Sequence, residues 1–178
     1  MKGDQQHIKK ATAKAGKEIK ADPLKKMQAT LERTTRKGAS PKDILGLTDA
    51  MVEGIYGQAY RLYNTGKYRD ASALFRMLIM INATEPKYTM GLAACYHLMK
   101  EYKNAADAYT ILSMIDPHNP VSFYHASDCY IKLNDAVSAI AALEMAIKRA
   151  GTKQEYHTLK DRATMTLESL KKEIAKNT

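Results

Sequence analysis

Sliding the chain by 34 residues brings like residues into register, and a second step of 34 does so again. The segment Gly66-Lys67-Tyr68-Arg69-Asp70-Ala71 falls on Lys100-Glu101-Tyr102-Lys103-Asn104-Ala105 and then on Asn134-Asp135-Ala136-Val137-Ser138-Ala139. Ala71, Ala105 and Ala139 share one column. Phe75, Tyr109 and Leu143 share the column four residues on, and Leu78, Leu112 and Ala146 the one three further. Upstream, Leu62, Tyr96 and Tyr130 align, as do Ala59, Ala93 and Ser127, and Cys95 falls on Cys129. A unit of this length cannot bury its apolar face alone, so stacking against its neighbours must supply the core.

Each unit reads as two helices. Glycine (9) and proline (5) are scarce among 178 residues, while alanine, leucine, lysine and methionine favour helix. Glu85-Pro86 and Asn119-Pro120 are equivalent, and each places proline at a first helical position. Helix pairs are expected at about 48–65 and 68–81, 86–99 and 102–115, and 120–133 and 136–149. The pattern resembles the tetratricopeptide repeat, a helix–turn–helix of this period. The small columns let helix A and helix B of one repeat approach closely. The Phe75, Tyr109 and Leu143 column fills the space between repeats. A proline near the end of the unit stops helix B; Pro117 supplies it in the middle repeat, while Ala83 and Gly151 stand there in the first and third.

The flanks extend the pattern. Ser40-Pro41-Lys42-Asp43 has the form of a capping box at a helix start. Leu24, Met27 and Leu31 make a short stripe on a preceding helix that Gly38 would end. Leu159, Ala163, Leu167, Leu170 and Ile174 fall on one face of a final helix, which would cover the open end of the last repeat. The expected fold is all-α: three repeats, about 52–85, 86–119 and 120–153, in a right-handed superhelical stack between an N-terminal helix and a C-terminal capping helix. Residues 23–178 form one domain in this reading. Residues 1–22, which lack an apolar stripe, form a basic arm expected to be disordered.

Charge and motifs exclude more than they suggest. Of 28 Lys and Arg, 11 lie in residues 1–40 against four Asp and Glu, so the net charge of +9 belongs mostly to the arm. The arm carries no aromatic residue to stack on bases, which argues against nucleic acid, and few apolar residues to enter a bilayer. No run of about 18 apolar residues exists, and no apolar stretch follows the first lysines, so neither a membrane span nor a secretory signal is expected. Cys95 and Cys129 read as buried thiols of a reducing compartment, and the localisation expected is cytoplasmic. Phosphate loops, Gly-x-Ser-x-Gly, His-Glu-x-x-His and Cys-x-x-Cys motifs are absent. None of the five histidines has a ligand partner at convincing spacing. Catalytic residues, metal and cofactor are therefore not expected, and binding protein is the class that remains.

In such a stack the A helices line a concave face. Helix A of the first repeat offers Tyr56, Tyr60 and Tyr63, spaced four and three apart on one helical face, beside Ile55, Ala59 and Leu62, which supply the packing. The second offers Lys87, Met90, Ala94, His97 and Leu98, and the third Val121, Tyr124, Asp128, Ile131 and Lys132. This groove is apolar and tyrosine-rich. It lacks the lysines, arginine and asparagines of the carboxylate clamp found in tetratricopeptide cochaperones. The matching places hold Tyr56, Tyr60, Gly91, Val121 and His125.

The stretch Ile55-Tyr56-Gly57-Gln58-Ala59-Tyr60-Arg61-Leu62-Tyr63, with Gly66–Ala71 and Tyr88-Thr89-Met90-Gly91-Leu92-Ala93-Ala94-Cys95, resembles the class II chaperones of bacterial type III secretion. The resemblance covers roughly residues 24–170. It implies a chaperone that keeps hydrophobic translocators soluble before export, gripping an extended Pro-x-Leu-x-x-Pro-like segment in the groove. By position the pockets would involve Tyr56, Tyr60, Tyr63, Tyr68, Met90, Ala94 and His97, with Tyr124 further along. It also implies a homodimer, for which Leu24, Met27 and Leu31 are the candidate helix. The basic arm is not part of that pattern. The alternatives are an adaptor of another bacterial assembly, or a regulatory binder acting through the arm.

Overall fold

A computed structural model describes residues 40–176. The chain divides into two units, with the boundary between Thr48 and Asp49. Within the described part of the first, Pro41–Ile44 forms one helical turn, α1. Its capping box is reciprocal: the Asp43 amide donates to Ser40 Oγ at 3.3 Å, and the Ser40 amide donates to the Asp43 carboxylate at 3.2 Å. The Ser40 hydroxyl, which donates to the Asp43 carboxylate at 2.8 Å, and then the Ser40 amide hold that carboxyl below the usual range. The stripe Leu24, Met27 and Leu31, and the arm of residues 1–22, lie outside the described residues.

The second unit is a run of helices: α2 (Asp49–Asn64), α3 (Tyr68–Ile81), α4 (Pro86–Leu98), α5 (Tyr102–Ile115), α6 (Pro120–Lys132), α7 (Ala136–Ala150) and α8 (His157–Lys176). A single 3-10 turn, Gln154–Tyr156, precedes α8. Within this run, helices that follow one another in sequence pack together. The pairs α2/α3, α4/α5 and α6/α7 are the three repeats, with bounds within a residue of those expected. Pro86 and Pro120 open their helices as the sequence indicates.

All three A-to-B turns share one backbone form. Gly66, Lys100 and Asn134, which are 34 apart, all take positive φ, at 77°, 61° and 57°. In each turn the next amide reaches back to the A helix: Lys67 to Leu62 O, Glu101 to Tyr96 O and Asp135 to Tyr130 O, all at 2.9 Å. Glycine takes this conformation freely and asparagine tolerates it, while lysine bears a steric cost of about 1–2 kcal/mol.

The columns seen in the sequence form the core. Ala59, Ala93 and Ser127 are buried, as are Ala71, Ala105 and Ala139, and so are Phe75, Tyr109 and Leu143. Cys95 and Cys129 are both fully buried and unpaired. The final helix seats Ala163 in the interior, and Lys171 pairs with Glu144 of α7 at 2.8 Å. Lys160 of α8 donates to the carbonyl of Gly151, capping the exposed end of α7.

Candidate peptide-binding cavity

The A helices α2, α4 and α6 stand side by side, and a cavity of about 500 Å³ opens between them. Eight of the residues expected in the groove line it: Tyr56, Tyr60, Tyr63, Lys87, Met90, Ala94, His97 and Leu98; Val121, Asp128, Ile131 and Lys132 do not. Tyr68 does not. It sits behind the wall, with its ring 5.6 Å from that of Tyr63, and lines a separate surface hollow with Gly66 and Met99. Tyr124 does not line the cavity either; its ring lies 5.7 Å from His125, which does.

One wall is tyrosine. Tyr56 and Tyr60 stack with centroids 6.4 Å apart, as the spacing of four on one helix requires. Tyr60 is 53% exposed and available to a ligand. Burial raises the Tyr63 phenol above its ordinary pKa, so it stays neutral and presents an O–H.

The floor comes from the B helices, from a column that reads in the sequence as packing between repeats. Phe75 of α3 and Tyr109 of α5 both reach the cavity while remaining almost fully buried. Gly91 makes this possible for Phe75. A Cβ at that position would overlap the Phe75 ring, so α4 can close over the ring only with glycine there. Phe75 also meets Tyr56 edge-on at 6.2 Å, tying floor to wall. The sequence did carry a signal for this: the one glycine inside the second A helix stands across the stack from an aromatic ring, Phe75.

Polar groups sit at the margins. Lys87 donates to Glu53 of α2 at 2.7 Å and lies 4.5 Å over the Tyr56 ring. The hydrogen bond to Glu53 raises the Lys87 pKa and keeps it charged. His97 Nε2 lies 2.8 Å from Asp128 Oδ2 of α6. The His97 ring is packed among Tyr102, Tyr109 and His125, with centroids at 5.8, 6.3 and 6.3 Å. His125 stacks on Tyr109 at 5.4 Å. Burial first, and the neighbouring His97 second, lower the His125 pKa, while Asp128 opposes them. His125 is therefore neutral at neutral pH. No group of three or more potential metal ligands occurs among the described residues. None of the described helices is long and apolar enough to cross a membrane.

An apolar, tyrosine-walled pocket with a few polar groups at its margins has the character of a binding site. Comparison with known proteins agrees with a binding class. A family model described as subunit 3 of the anaphase-promoting complex (cyclosome) matches residues 64–146. The chaperone protein SicA of Salmonella dublin is 33% identical over 136 residues, which span 75% of this chain and 79% of SicA. PcrH of Pseudomonas aeruginosa, solved with the chaperone-binding region of PopD, is 27% identical with a TM-score of 0.68; the match covers 72% of this chain and 96% of that one. SycD of Yersinia enterocolitica, solved with a peptide of the translocator YopD, is 27% identical with a TM-score of 0.68; the match covers 71% of this chain and 96% of that one. The fold defines a tetratricopeptide-repeat binding protein. On its likeness to SicA, the chain belongs to the class II chaperones of type III secretion.

Proposed function

We propose that this chain binds an extended segment of a hydrophobic type III translocator in the cavity between α2, α4 and α6, and so keeps that client soluble in the bacterial cytoplasm before export. The observation that carries the reading is the apolar cavity itself, walled by Tyr56, Tyr60 and Tyr63 and floored by Phe75, in a family whose solved structures include complexes with translocator segments. The physics suits such a ligand. An extended, proline-containing segment has little chain entropy left to lose on binding. Its apolar anchor leaves water against aromatic rings, where binding energy concentrates. Met90 adds adaptable surface for anchors of different shape. The chain acts by binding, with no chemical step.

The test is co-expression with a hydrophobic translocator from the same organism. The translocator should move from the pellet to the soluble fraction and co-elute with this chain in size-exclusion chromatography. A translocator that pellets equally with and without the chain would contradict the proposal.

A further inference from the structure

The cavity follows the length of α4. Lys87, Met90, Gly91, Ala94, His97 and Leu98 recur at helical spacing and all line it. Its two ends differ in charge. At the first end, the Lys87 ammonium is the fixed cation among the lining residues, 35% exposed and held over Tyr56. Its partner Glu53 is on the rim and 58% exposed. Exposed pairs of that kind contribute little, so an incoming carboxylate can replace Glu53 at small cost. Beside the other end, outside the lining residues, Asp128 of α6 uses one oxygen on the lining residue His97, and its side chain remains 44% exposed. The ends are joined by an apolar middle that has no charge to offer.

The geometry points to a groove that reads charge order: resting on the translocator reading above, the client segment carries a carboxylate beside Lys87 and a cationic side chain beside Asp128, flanking its apolar anchor. The spacing follows from α4. Ten residues separate Lys87 from His97, a rise of about 15 Å. An extended segment covers that span in about five residues. Opposite ends of opposite charge also give the groove a direction, since a segment entered backwards would set like charges against each other.

Two fluorescent peptides test this. Both have the same apolar Pro-x-Leu-x-x-Pro core; one carries Asp and Lys about five residues apart, and the other carries the same two residues exchanged. Polarisation with the full chain at low salt should show Kd values differing about tenfold. The difference should shrink as salt rises, because rim charges are screened. In the Glu53→Gln/Lys87→Gln/Asp128→Asn variant, which removes the Lys87 partner along with the two charges, the two peptides should bind equally. Equal Kd values for the unaltered chain would overturn the charge order while leaving the chaperone reading in place. A difference that persists in the variant would overturn the assignment to these two residues. Failure of both peptides, and of an uncharged one, would overturn the inference together with the function it rests on.

Discussion

Two glycine-to-alanine changes in neighbouring A helices should move stability in opposite directions. In α2, a Cβ at Gly57 would meet nothing within 4 Å among the described residues. Alanine there should stabilise the helix by about 0.5–1 kcal/mol, since it loses less backbone freedom on folding. In α4, a Cβ at Gly91 would overlap the ring of Phe75, which is 2% exposed and packed edge-on against Tyr56. Overpacking of a fitted interior costs about 1–3 kcal/mol. Against the same helical gain, Gly91→Ala should lose ~1 kcal/mol. With a urea slope of about 2 kcal/mol/M, the midpoint of unfolding should fall by roughly 0.5 M for Gly91→Ala and rise by a smaller amount for Gly57→Ala. Circular dichroism at 222 nm follows both, about that wavelength being the helix band. If Gly91→Ala is as stable as the parent chain, or more so, the close approach of α4 to Phe75 is wrong and the cavity floor with it.

Other outcomes follow from the same structure. Lys100 holds the left-handed position that glycine holds at Gly66, so Lys100→Gly should raise the urea midpoint, by about 0.5–1 kcal/mol of stability after glycine's own entropic cost. A fall would refute the shared turn. Burial holds His125 neutral, with its folded pKa below the unfolded value of about 6.5. The unfolded chain therefore binds more protons as pH falls through that value, and stability present above it should decline below it. Comparing urea midpoints at pH 7.5 and 5 (about one unit or more either side of 6.5) with those of His125→Gln checks the sign; an unchanged slope in the variant would remove His125 from the account. Burial pushes the thiols of Cys95 and Cys129 up to about 11 and about 12. Both should resist a thiol reagent in the folded chain and react at the rate of unfolding; rapid reaction under native conditions would contradict their burial.

Much of the fold was legible because repetition multiplies weak signals. One Ala-x-x-x-Phe is common; Ala71, Ala105 and Ala139 in step, each four residues before a large side chain, define a stack. The A-to-B turns were less legible. Gly66, Lys100 and Asn134 look like a column without a common property, and only the backbone shows that all three hold one conformation. Their shared feature is φ, which lysine hides and glycine suggests.

The cavity was half visible. Helical spacing placed Tyr56, Tyr60 and Tyr63 on one face, and they do line one wall. The floor was hidden because Phe75 and Tyr109 occupy columns that pack repeat against repeat. A side chain there can fill the core and still present a ring to the groove, and periodicity cannot separate the two uses. Tyr68 enters the expected site through the family resemblance alone. It begins a B helix, however, and supports Tyr63 from behind. The cross-repeat pairs Glu53–Lys87 and His97–Asp128 depend on how successive A helices abut, which single-helix spacing does not specify.

The most direct test of the central claim is the affinity of a fluorescent Pro-x-Leu-x-x-Pro peptide from a cognate translocator, measured by polarisation with the parent chain and with Tyr60→Ala. Tyr60 is more than half exposed, so its truncation removes wall without removing core. Micromolar binding, about 8 kcal/mol, reduced by more than ~1 kcal/mol in the variant and absent for a scrambled peptide, is the expected result. Equal affinity for the parent chain and the variant, or no discrimination against the scrambled peptide, would contradict the claim that this cavity holds the client.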